Sequence, residues 1–175
     1  MEQIKEQIST AQIRRWLPPF GAALVLGIGL HGLFGLWPSI LTEFLSPVNE
    51  SIWEHVKLLF WALLLVEFAF YPKERRAGGL TAILLCCAGM LVAAWSYHVV
   101  LGGQVMAVDL VLFALSIAAY FPLRRWLPVP RSSLSLLAGL YILAVGVLLA
   151  FTLTPPRGTL FNDPSLADAW VHLTC

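Results

Sequence analysis

The stretch "SPVNESIWEHVKLLFWALLLVEFAFY", residues 46–71, joins a polar head to a long apolar run in which Glu67 is the one charged residue. Ile52 to Tyr71 supplies about the 17–25 mostly apolar residues that a helix needs to cross a hydrocarbon layer. The head therefore places Glu50, Glu54, His55 and Lys57 at the mouth of a membrane helix. Ser46 reads as its N-cap and Pro47 as its first helical residue, and the acids suit the positive end of the helix dipole. Lys57 can pair with Glu54 at i, i+3. Capping accounts for the acids, but not for an imidazole at His55 sharing a helix face with Ser51.

Outward from this stretch, the composition is that of a chain folded in lipid. Hydrophobic residues make up 59% and charged residues 12%, against about 25% charged in an ordinary soluble domain. The mean hydropathy is +0.80. A net charge of +1 gives no basic face of the kind that marks nucleic-acid partners. Four more apolar stretches reach spanning length: Pro18 to Trp37, Gly79 to Val100, Val105 to Phe121 and Leu136 to Leu153. The expected fold is all-α, a polytopic bundle of five transmembrane helices forming one membrane domain over residues 1–175. Residues 1–17 read as a surface helix, 18–153 as the bundle and 154–175 as a tail. In that tail Leu166, Ala169, Trp170 and Leu173 are spaced for a short interfacial helix. Membrane lipids are the expected partners, and so little extramembrane surface suits an oligomer or a partner membrane subunit.

Lys and Arg resist translocation and set the orientation. Lys5, Arg14, Arg15, Lys73, Arg75, Arg76, Arg124, Arg125 and Arg131 fall on one side, and only Lys57 and Arg157 on the other. The N-terminus is thus expected in the cytoplasm and the C-terminus outside, in a multi-pass protein of the cell (inner) membrane. Tryptophan rings favour the interfaces, with Trp16 and Trp126 at the inner one and Trp37, Trp53, Trp95 and Trp170 at the outer. Only Trp61 is mid-span. No small-residue cleavage site follows "GLFGLWPS", so the first helix reads as a retained anchor.

Cys86 and Cys87 are adjacent and Cys175 is distant, which offers neither a disulfide framework nor a CxxC metal pattern. Ala82, Cys86, Gly89 and Ala93 instead form a small-residue face for close helix packing. P-loop and GxSxG motifs do not occur.

The histidines carry the chemistry. With a rise of about 1.5 Å per residue, His31, His55, His98 and Asp109 each lie within roughly 10 Å of the outer boundary. His172 belongs to the outer tail. Gly27 and Gly35 flank His31 on one helix face, which turns its ring toward a neighbouring helix. An ionisable group within a span costs about 2.5–3.5 kcal/mol, so several at one depth point to a paired or ligand-bearing site. His31, His55 and His98 are the candidate metal ligands, zinc being the suitable ion, with Asp109 as fourth ligand or as partner to an imidazole N–H. Glu54 is the candidate general base, and Ser51 and Asp109 complete the candidate catalytic set.

"SPVNESIWEHVKLLF", Glu67 and the later string "TPPRGTLFNDP" resemble an uncharacterised family of small bacterial multi-spanning membrane proteins. That resemblance implies a shared fold and names no activity, and the tail "PSLADAWVHLTC" departs from it. The set Ser96, His98 and Asp109, with the Ser and His of "NESIWEH", more distantly resembles the membrane hydrolase superfamily of alkaline ceramidases. That resemblance implies a zinc site built from Ser, Asp and three His and a lipid amide, ester or phosphoester as substrate. This chain departs from it in having five expected spans rather than seven and in lacking a His-x-x-x-His pair.

Two rival classes remain open. Asp109, Ser116 and Tyr120 form a stripe that, with Glu67, suggests a proton or small-ion route. Glu67 projects nearly opposite Ser51 and His55, however, and its bland role is to snorkel toward the inner headgroups. A non-catalytic membrane subunit is the third class.

Overall fold

A backbone surrounded by lipid must satisfy its own N–H and C=O groups, and a helix does so within one segment. The computed structural model describes residues 10–127 and 130–162, and their long apolar stretches are helical. In chain order they form α1 (Thr10–Leu36), the short α2 (Ile40–Leu45), α3 (Ile52–Phe70), a 3-10 turn (Lys73–Arg75) and α4 (Arg76–Trp95). A π-helical turn (Ser96–Val100), α5 (Met106–Trp126), a 3-10 turn (Arg131–Ser133) and α6 (Leu134–Leu153) follow. No strand occurs among the described residues.

Four stretches are long and apolar enough to cross a membrane: Arg14–Leu36, Lys73–Val100, Met106–Trp126 and Leu134–Leu153. The remaining long helix, α3, carries Glu54, Lys57 and Glu67, and it is also the helix most enclosed by the others. Leu59, Leu63 and Val66 on α3 meet Ile83 and Met90 of α4 and Phe113, Ile117 and Tyr120 of α5 in one core. On the outer surfaces of α1 and α6, Val25, Ile28, Leu136, Ile142 and Leu143 are exposed. In water such a surface would drive association; acyl chains solvate it.

Several boundaries differ from the sequence reading for identifiable reasons. Residues 10–17 of the expected surface segment are the opening turns of α1, which runs on through Pro18 and Pro19. At the other end of the bundle, α5 continues past Pro122 to Trp126, since a proline removes one donor and Leu127 N still donates to Leu123 O at 3.0 Å. Ser46 does not cap α3 but ends α2, in an extended conformation. The true N-cap is Ser51, whose hydroxyl accepts from Glu54 N at 3.4 Å. Helix α2 was not expected; its signal is a capping box in which Ser39 and Thr42 exchange side-chain and backbone bonds at 3.0 and 3.2 Å.

Close approaches occur at glycines, though not all those on the expected face. Gly78 packs on the Leu127 and Arg124 carbonyls of α5, and Ala82 and Cys86 are buried next to it, whereas Gly89 is exposed. On α1, Gly27 lies under the ring of Phe113, while Gly35 has open space beside it.

Candidate metal centre and the buried ion pairs

At the end of the bundle where α1 finishes and α3 begins, three side chains converge from three elements. His31 comes from the last turns of α1, Glu50 from the connector between α2 and α3, and His55 from the first turn of α3. One ligand atom from each lies within 4.8 Å of the other two. Glu50 Oε2 is 3.6 Å from His31 Nε2 and 3.5 Å from His55 Nε2. The two rings are 5.5 Å apart and tilted by 52°. The exposures of the three side chains, 41%, 50% and 23% for His31, Glu50 and His55, open the cluster to the bundle's exterior.

The ring of His55 is oriented by its own helix. Its Nδ1 lies 2.9 Å from the Ser51 carbonyl oxygen. A carbonyl only accepts, so Nδ1 donates to it, which leaves Nε2, the nitrogen that faces Glu50, as the ring atom able to reach an ion. This is the arrangement found behind most metal-ligating histidines. Ser46 joins the connector to α1 at the other histidine: its hydroxyl donates to His31 O at 3.4 Å and accepts from Phe34 N at 3.1 Å.

The trio expected from depth alone is divided. His98 does not join His31 and His55, the one convergent metal-type group among the described residues being His31, Glu50 and His55. His98 sits on the π-helical turn, where Nδ1 is 2.8 Å from Gly103 O and Nε2 is 2.7 Å from Asp109 Oδ1. Both ring nitrogens are thus taken up by short contacts within the hairpin, at 2.8 and 2.7 Å. The pair His98–Asp109 closes the hairpin between α4 and α5. His172 lies outside the described residues.

Ser51 and Glu54 are present but committed elsewhere. Ser51 is buried and spends its hydroxyl on the α3 cap. Glu54 is buried against Lys57 at 2.6 Å, the i, i+3 pair that the spacing suggests. Glu54 Oε2 also accepts from Val48 N at 3.1 Å, and Glu54 Oε1 accepts from the Thr152 hydroxyl at 3.4 Å. Lys57 donates in addition to Glu43 O at 2.8 Å and to Thr152 at 3.1 Å. The network ties α2, α3 and α6 together beneath the His/Glu cluster.

Glu50, read from sequence as an acid at the mouth of the helix, is the member of the cluster that the spacing did not reveal. It lies outside the helix that carries His55, and no periodicity reports a connector that doubles back.

The opposite end of α3 holds a second buried pair. Glu67 does not snorkel: it is fully buried, bonded to the Tyr120 hydroxyl and paired with Arg124 Nε at 2.8 Å. The Arg124 guanidinium lies over the ring of Tyr71, 3.6 Å from its centroid. The polar stripe of α5 is dispersed among separate tasks, with Asp109 on His98, Tyr120 on Glu67, and Ser116 bonding back to Leu112 O at 2.7 Å.

The later motif also finds its place. Leu160 O accepts from Trp53 N at 3.1 Å, satisfying one of the free donors in the first turn of α3, and Phe161 packs with Trp53 and Phe151. The start of α3 and the described part of the later string, residues 154–162, thus meet at one end of the bundle. The chain belongs to a family of unknown function, DUF6512, which matches residues 5–168. No curated protein and no solved structure matches it.

Proposed function

We propose that this DUF6512 protein crosses the membrane five times, with its N-terminus inside and its C-terminus outside, and binds a divalent transition metal through His31, Glu50 and His55 at its outer end. The carrying observation is the convergence of those three donors. Zinc bonds of about 2.0–2.2 Å in a tetrahedron set neighbouring ligand atoms about 3.4 Å apart. The two separations to Glu50, 3.6 and 3.5 Å, lie close to that spacing. Two imidazoles and a carboxylate suit zinc, and three protein donors leave a position for water or substrate.

A zinc ion held this way supplies Lewis acidity and a water acidified to near neutrality. The residues of this chain would hold it at the membrane surface, within reach of lipid headgroups. Lipid-directed hydrolysis is the sharper version of the reading, and it rests on the residue inventory alone. Glu54, locked to Lys57, is poorly placed to serve as its base, and Glu50 is the carboxylate nearest the ion.

Five spans are supported by the length of α3, whose 19 residues extend about 28 Å, close to the roughly 30 Å of hydrocarbon. Its three charges are all paired inside the bundle.

Zinc titration of the purified, chelator-stripped protein in detergent tests the site. The wild type takes up one zinc per chain, His31→Ala, His55→Ala and Glu50→Gln lose it, and His98→Ala retains it. Equal retention in all four variants, or no stoichiometric zinc in the wild type, removes the metal reading.

A further inference from the structure

We infer that Ser46 and the buried Glu54–Lys57 pair are positioning residues that hold the connector carrying Glu50 in its metal-binding shape, an inference that rests on the metal site proposed above. Glu54 and Lys57 contribute side chains that are 3% and 0% exposed. A buried ion pair is a weak source of stability, and apolar residues of similar volume often replace one with no loss. The pair's connections suggest another purpose.

Between Ser46 and Ser51 the chain forms no helix, yet it is tied at three points. At its start, the Ser46 hydroxyl is stitched to the backbone of His31 and Phe34. In its middle, Val48 N donates to Glu54 Oε2, the same oxygen that Lys57 grips at 2.6 Å. At its end, Ser51 N donates to Asn49 Oδ1 at 3.0 Å. Glu50 lies between the second and third ties. Its carboxylate reaches both imidazoles only while the connector stays folded back over the start of α3. The Lys57 ammonium that grips Glu54 is itself fixed by donating to Glu43 O and to the Thr152 hydroxyl. The pair therefore acts on the ion through Val48 and Glu50 and touches neither histidine. Ser46 sets the other distance, from the connector to His31.

The test separates positioning from folding. In Glu54→Leu/Lys57→Met the charges go together and Val48 N loses its acceptor, while in Glu54→Gln/Lys57→Met the charges also go but a side-chain oxygen remains. The first double variant keeps the helical circular dichroism and elution volume of the wild type but binds zinc about 10–100-fold more weakly, the usual loss when an outer partner of a metal ligand is removed. Its cobalt(II) visible spectrum shifts as Glu50 leaves the ion. The Gln-containing variant recovers affinity and spectrum, which a merely structural role would not require. Ser46→Ala weakens zinc about 10-fold on the same grounds.

Wild-type affinity and an unchanged cobalt spectrum in Glu54→Leu/Lys57→Met overturn the positioning role and leave the metal site standing. Should that variant not fold, Ser46→Ala decides alone, and unchanged affinity there overturns the role. Absence of stoichiometric zinc from the wild-type protein defeats the metal reading itself, and this inference with it.

Discussion

Gly79 of α4 lies against the carboxylate of Glu67 on α3, so closely that a Cβ at position 79 would overlap it. The carboxylate cannot swing aside freely, because Arg124 and Tyr120 hold it and it has no exposure to solvent. Gly79→Ala therefore forces Glu67 off its partners. Breaking a buried ion pair costs about 3–5 kcal/mol, and the loss should appear as early unfolding in a denaturing-detergent titration. In a Glu67→Ala background the same Gly79→Ala substitution should cost much less, since its victim is already gone. Additive costs in that cycle would show that the glycine serves something other than the Glu67 pair.

The His98–Asp109 bond makes a different prediction, local rather than global. Hydrogen bonds to charged groups contribute about 1.5–3 kcal/mol, and this one closes a turn whose Gly102 is the described residue with positive φ, at 66°. His98→Ala should leave zinc binding intact and accelerate backbone hydrogen exchange over residues 101–106. Loss of zinc in this variant would contradict the separation of His98 from the His31 cluster.

These two sites show how far the sequence could be read. Helix positions followed from the apolar runs, because lipid leaves a spanning backbone few options and each run reports its own length. The Glu54–Lys57 pair was legible too, being set by helical spacing. Position along each helix was also legible: His31, His55, His98 and Asp109 sit near the ends of their helical segments. Position along a helix, however, does not say which way a side chain turns around the bundle. His98 and His55 stand on different helices, and their grouping depends on packing that no single helix encodes. Glu67 was misjudged for the same reason, since its partner Arg124 lies 57 positions away on α5. Glu50 was not grouped with the histidines because its place is set by a connector whose ties are long-range or involve buried side chains.

Metal removal should register in stability. A ligand that binds only the folded chain at about 100 times its Kd adds about 2.7 kcal/mol. Stripping zinc should therefore lower the thermal midpoint of the wild type, and readdition should restore it. The shift should be absent in His55→Ala and retained in His98→Ala. A midpoint indifferent to chelator in the wild type would count against a site that joins α1, the connector and α3.

Acidity supplies a further check, because a proton and a metal compete for the same imidazole nitrogen. With His31 and His55 both as ligands, each must surrender a proton to bind, so zinc affinity falls as pH is lowered. The pH dependence should weaken in a variant that binds through a single histidine. A pH-independent Kd across the acidic range would exclude the imidazoles as the donors.

The path of α3 is the remaining test, and it governs which face of the membrane the His/Glu cluster occupies. If α3 crosses, the turn at Lys73–Arg75 lies on the side opposite the connector that carries Glu50; if it does not, the two lie together and every later helix is inverted. Cysteine placed at Lys73, Gln104 or Arg157, with Cys175 replaced by serine, distinguishes these arrangements in intact cells. All three native residues are exposed, so labelling reports sidedness rather than burial. The five-span arrangement predicts that an impermeant maleimide reacts at 104 and 157 but reaches 73 only after the membrane is opened. Labelling at 73 in closed cells would leave α3 as a buried re-entrant helix. The charges on α3 argue for the crossing: Glu54 is matched by Lys57 and Glu67 by Arg124. The helix therefore presents paired charges to its neighbours and none to the acyl chains, which is the condition under which ionisable residues occur within spans.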